Sequence, residues 1–144
     1  LAAVTEHLPR HDVLIMSAAV ADWRPAQTAT VKLKKEAMSA TLQLEPNPDI
    51  LKTIAPLKGS RLFVGFAAET GDPRAEAQRK LQAKGLDLIV ANDVTQPGAG
   101  FAVDTNRVQF LTAAQCTALP LMSKHDVGLA LITTLENLYT SQNP

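Results

Sequence analysis

Three segments of this chain are almost uninterrupted apolar runs, and each breaks off in small or polar residues: HDVLIMSAAVAD at 11–22, RLFVGFAAET at 61–70 and LDLIVANDV at 86–94. A strand with one wet face alternates between apolar and polar side chains. A strand covered on both faces has no reason to alternate. The three runs therefore predict buried strands.

The intervening sequence supplies the covering helices. Leu1, Ala2, Ala3, Val4, His7 and Leu8 recur at helical spacing up to Pro9, with no capping residue ahead of them, so the native protein is expected to begin upstream. In NPDILKTIAPL, Asn47 is the expected cap, Pro48 suits the first helical position, Asp49 complements the positive end of the helix dipole, and the helix should reach about Ala55. GDPRAEAQRKLQAKG predicts a helix capped by Asp72, with Pro73 in its first turn and Gly85 as its stop. SKHDVGLALITTLENLY predicts a long C-terminal helix with Ser123 and Asp126 in capping-box spacing.

RVQFLT and CTALPLM read as closing strands, and TQPGAGFAVDTN as loop. DWRPAQ reads as a turn or loop. TVKLKKEAMSATLQLE alternates well enough for a flexible hairpin, with strands from Thr30 to Lys34 and Ala40 to Leu44 around a polar turn. The expected fold is α/β: a three-layer, Rossmann-like, doubly wound and mostly parallel sheet with an antiparallel flap hairpin. With 144 residues and no repeat or linker, one domain over 1–144 is expected.

Charge narrows the function. Lys plus Arg equals Asp plus Glu at 14 each, which removes the basic excess expected of a nucleic-acid or anionic-membrane binder. Cys116 is the single cysteine and the three histidines lack HExxH-type spacing, so neither a disulfide framework nor a structural metal site is indicated, and a reducing cytoplasm is the simplest compartment. No apolar run approaches the roughly 18 residues of a membrane span.

In open α/β sheets, ligands bind beyond the carboxyl ends of the strands. Here those ends are SAAVAD, GFAAET and AND, whose small residues admit a ligand to the backbone or, equally, permit tight helix-on-sheet packing. Asp22 is either a site for a divalent cation bridging phosphates or a turn residue. Lys80 and Lys84 share a helix face in the last turn, where the dipole alone would explain them. Asn92 and Asp93 are consistent with a turn. Lys32, Lys34 and Lys35 form the one concentrated charge, readable as a polyanion site or as an edge strand kept unsticky by lysine. No Walker A or GxGxxG pattern occurs.

Taken in order, SAAVADWRP, KLKK with its following alternating strand, NPDIL, VGFAAET, KLQAKGLDLIVANDV and GFAVDTNRVQFL resemble phosphopantothenoylcysteine synthetase, usually the C-terminal half of the bifunctional coenzyme A biosynthesis flavoprotein of bacteria. The likeness covers nearly the whole chain. It implies a cytoplasmic ligase in which 4′-phosphopantothenate reacts with CTP to give an acyl-cytidylate and pyrophosphate, after which the cysteine amine displaces CMP. Magnesium would accompany the nucleotide.

Carried over by motif, Met16, Ser17 and Ala18 would present backbone and hydroxyl to the nucleotide, with Asp22 near its metal or polar groups. Lys32, the first lysine of the flap, would contact CTP and help complete amide formation. Pro48, Asp49, Ile50, Leu51 and Phe66 would line the pocket, and Lys80 and Lys84 would reach nucleotide oxygens. The resemblance assigns Asn92 no specific role. It further implies a homodimer with the flap contributing near the interface, and an earlier first strand and Gly-rich turn that this sequence does not contain. FMN would belong only to a linked decarboxylase half, also not in this sequence. A non-catalytic nucleotide-binding or dimerisation fragment stays open beside the ligase. A Rossmann-like oxidoreductase fits less well, because it would want a Gly-rich dinucleotide turn.

Overall fold

The computed structural model describes residues 1–34, 41–100 and 102–142. The central sheet has five strands: β1 (Val13–Met16), β4 (Leu62–Glu69), β5 (Leu88–Asp93), β7 (Gln109–Leu111) and β8 (Cys116–Ala118), adjacent in that order. The three apolar runs form β1, β4 and β5, which are parallel; β7 adds antiparallel to β5, and β8 adds antiparallel to β7. Separate from this sheet are β2 (Trp23–Pro25) with β3 (Leu44–Pro46), an antiparallel pair, and the two-residue antiparallel pair β6 (Thr105–Asn106) with β9 (Met122–Ser123). The helices are α1 (Ala2–His7), α2 (Ile50–Ile54), α3 (Arg74–Ala83) and α4 (Lys124–Gln142).

Residue parity along the strands divides the apolar runs between two cores. Phe63 and Ala67 of β4 and Ile89 and Ala91 of β5 pack with Leu51 and Ile54 of α2 and Ala77 and Leu81 of α3. Leu62, Val64, Leu88 and Val90 pack on the opposite face with Val127, Leu131 and Leu135 of α4. The result is three layers, with the sheet sandwiched between helices. Phe63, Leu62, Val64 and Leu88 are fully buried, and each such side chain contributes about 1.5–3 kcal/mol by leaving water.

The helix signals behave largely as expected. Gly85 has φ +62°, and Leu86 N–H donates to Leu81 O at 2.9 Å while Gly85 N–H donates to Gln82 O at 3.3 Å. This paired closure is a Schellman motif, in which the left-handed residue is least strained as glycine. At α4, Asp126 N–H donates to Ser123 Oγ at 3.0 Å and Ser123 Oγ donates to the Asp126 carboxylate at 2.6 Å. Asp72 lies one position ahead of the cap residue Pro73 and accepts the Arg74 amide at 3.1 Å.

Three expectations are corrected. Residues 30–34 are not strand; the antiparallel ladder lies instead at the hairpin's base, pairing Trp23 with Pro46 and Pro25 with Leu44. Trp23–Pro25 is thus strand rather than turn or loop, since a proline is tolerated where its ring nitrogen faces no partner. The α2 cap is Asp49, whose side chain accepts the Lys52 amide at 3.1 Å, and not Asn47. The expected turn of the hairpin, with Lys35 and Ala40, lies outside the described residues.

Candidate functional site

A cleft of about 600 Å³ opens beyond the carboxyl ends of β1 and β4. Met16 and Ala18 come from the end of β1 and the loop after it, Asp22 from just before β2, Phe66 from β4, and Pro48, Asp49, Ile50 and Leu51 from the start of α2. Lys80 and Lys84 enter from the last turn and cap of α3. Ten of the expected site residues are therefore brought together from segments as much as 68 positions apart (16 to 84).

Two are not. Ser17 is exposed at the tip of β1 and does not line the cleft, nor does Lys32, which is exposed in the flap. Asn92 is half-buried near the end of β5, opposite Ala68, outside the lining. Asp93 turns the chain: it accepts from the Thr95 hydroxyl at 2.6 Å, the Thr95 amide at 2.9 Å and the Gly71 amide at 3.1 Å. Those bonds, led by the Thr95 hydroxyl, hold its carboxyl below the usual range.

The structure separates the two explanations for small residues at the β4 tip. A Cβ on Gly65 would stand 2.7 Å from Leu86 Cδ1, so Gly65 serves packing. Phe66, next in sequence, turns its exposed ring to the cleft.

Both cleft lysines are held by carboxylates. Lys84 Nζ lies 3.0 Å from Asp49 Oδ2, and Lys80 Nζ lies 2.6 Å from Glu69 Oε1 and 3.6 Å from Glu76. For Asp49, burial works to raise the pKa but is outweighed by the Lys52 amide and then by Lys84, leaving the carboxyl below its ordinary value. Glu76 is lowered to about 2, chiefly by its bond to Arg79, which spans it at 2.8 and 2.5 Å. The dipole at the end of α3 is thus not the only partner of these lysines, and both ammonium groups face a concave wall.

Sequence reading missed Ala19, Val20, Ala21, Trp23, Pro46 and Asn47, which also line the cleft. Asn47 was obscured by its adequacy as a helix cap. Its amide instead donates to Ala21 O at 2.8 Å, its side-chain oxygen accepts from Arg24 at 2.9 Å, and its backbone N–H donates to Asp22 O at 2.7 Å. Arg24 also bonds Glu45 at 2.7 Å across the ladder. These bonds tie the hairpin base to the loop after β1.

Chemically, the cleft pairs two cations on one wall with Asp22 on another, at the strand ends of a parallel sheet, a setting suited to a phosphate-bearing ligand. The fold and cleft define an α/β domain of the ligand-at-strand-end class. The chain belongs to the family described as DNA/pantothenate metabolism flavoprotein C-terminal domain, whose model matches residues 1–139. The resemblance carried by SAAVAD, NPDIL and VGFAAET is borne out at that level.

Relatives agree. The chain is 45% identical over 128 residues to the coenzyme A biosynthesis bifunctional protein CoaBC of Bacillus subtilis strain 168, covering 88% of this chain and 32% of that protein. It is 39% identical over 146 residues to the CoaBC of Escherichia coli strain K12, covering 99% of this chain and 36% of that protein. It therefore spans about a third of the length of these relatives. Among solved structures, the C-terminal domain of a CoaBC superposes with TM-score 0.77 at 32% identity, covering 97% of this chain and 61% of that one.

Proposed function

We propose that this chain forms the synthetase part of a ligase that joins 4′-phosphopantothenate to cysteine, using CTP through an acyl-cytidylate, in coenzyme A biosynthesis. The observation that carries the reading is the pair Lys80 and Lys84 on one wall of a strand-end cleft, in a chain of this family.

The chemistry has a physical logic. A carboxylate is a poor acylating agent until its oxygen is attached to a good leaving group, and charge developing on the departing pyrophosphate needs fixed cations. Lys80 and Lys84 would hold nucleotide oxygens, while the backbone at Met16 and Ala18 and the ring of Phe66 border the base and sugar. Lys32 would approach from the flap when nucleotide is bound, and Ser17 would offer its hydroxyl from the strand tip. Cysteine's amine then attacks the activated carbonyl, and CMP leaves.

Among the described residues, no three His, Cys, Asp or Glu side chains gather into a metal site. Mg2+ takes one or two carboxylates and fills its shell with water and phosphate, and Asp22 is a carboxylate in the cleft lining. Asp22 would hold it, and the ion would supply charge neutralisation between phosphates. Two further parts of the reading are a homodimer, with the flap near the interface, and linkage to an FMN-dependent decarboxylase domain.

The test uses the complete native protein. Pyrophosphate should appear only with CTP and phosphopantothenate together, and amide only once cysteine is added. Lys80→Ala should weaken CTP binding about tenfold, the scale of one charge-assisted hydrogen bond. Nucleotide binding with no pyrophosphate released would favour the non-catalytic module instead.

A further inference from the structure

Lys80 lines the cleft, but its closest carboxylate partner does not. Glu69 ends β4 behind the lysine, with its Oε1 2.6 Å from Lys80 Nζ, and the two side chains are only 24% and 29% exposed. Its backbone is fixed on both counts that matter: it pairs with Asp93 of β5, and its carbonyl accepts the Val94 amide at 2.9 Å. The other neighbour, Glu76, is 3.6 Å away and already spanned by Arg79. Glu69 is therefore the anchor of Lys80.

An ammonium group has three donors and a flexible four-carbon stem. Anchoring one donor to a strand fixes the stem and leaves the others for a ligand, so ordering need not be supplied at binding. Lys84 is arranged differently, because its partner Asp49 itself lines the cleft and would meet the ligand directly.

We infer that Glu69 is a positioning residue that acts only through Lys80, holding its ammonium toward the phosphates of a bound nucleoside triphosphate. This rests on the reading of Lys80 given above, and a double-mutant cycle separates the two. CTP with Mg2+ is titrated calorimetrically into the complete native protein and into Glu69→Ala, Lys80→Ala and the double variant, with thermal unfolding recorded for each.

Glu69→Ala should raise Kd about fivefold, the scale of one released side chain, and by less than twofold when Lys80 is already alanine. Glu69→Gln, which keeps an acceptor in place, should stay within about twofold of the parent. If the alanine variant does not fold, Glu69→Thr repeats the cycle with a strand-compatible side chain too short to reach Lys80. An unchanged Kd in Glu69→Ala, or equal losses in both backgrounds, overturns the proposal even if Lys80→Ala weakens binding. An unchanged Kd in Lys80→Ala removes the nucleotide reading of that lysine and the proposal with it.

Discussion

β4 and the segment over residues 17–34 both border the cleft, yet they are held by opposite means. In β4, Leu62, Phe63 and Val64 have no solvent exposure, and apolar side chains cover both faces. Every residue from 17 to 34 is exposed. What fixes the start of that segment is a set of polar cross-links: Arg24 to Glu45 and Asn47, and Asn47 to the backbone at Ala21 and Asp22. Apolar burial ties β4 to global unfolding. The cross-links are each worth about 1 kcal/mol and can open locally. One wall of the cleft is as stable as the protein, and the other is adjustable.

The comparison predicts a hierarchy of effects. Phe63→Ala should cost about 3–5 kcal/mol in urea unfolding, whereas Leu33→Ala in the flap should stay within about 0.5 kcal/mol. Equal losses would erase the distinction. Gly85→Ala should cost about 1–2 kcal/mol by forcing a Cβ into left-handed backbone, and because α3 carries both cleft lysines it should also weaken nucleotide binding. A full loss of binding without loss of stability would show that the α3 terminus is mechanically independent of the core.

Asn47→Ala should cost about 1 kcal/mol at most in global unfolding, while amide exchange at residues 22–26 accelerates. Protection unchanged there would mean that the ladder needs no side-chain support. The smallest effect concerns Asp49. Its folded pKa lies below its ordinary 3.8, so its contribution is present above that value and fades as pH falls through the folded one. Asp49→Asn keeps a helix cap but removes the charge, and the stability gap to the parent should be a few tenths of a kcal/mol near neutrality, given the exposure of the pair, and should close in acid. A gap that widened in acid would reverse the assigned sign.

The parallel strands were legible because burial on both faces leaves an unmistakable continuous run, and the cleft because parallel strands place their ends together. Lys80 and Lys84 were visible as a helix-face pair, although their carboxylate partners, 11 and 35 positions away (80 to 69, 84 to 49), were not. The hairpin was misplaced for a physical reason. Val31 and Leu33 alternate with lysines, but both stay exposed, and alternation without a face to bury carries no energy. The ladder formed instead around Trp23–Pro25, where Pro25 imitates a turn. Ser17 and Lys32 stand outside the cleft because a motif fixes sequence neighbours, whereas lining requires a direction.

Among the described residues, all those that line the cleft lie at or before Lys84, although the domain continues through β5, β7, β8 and α4. The part of the chain after Lys84 is scaffold in the engineering sense. Affinity tags, fluorophores or surface redesign placed on the outer side of α4 should therefore change shelf life or expression before they change ligand binding in the cleft.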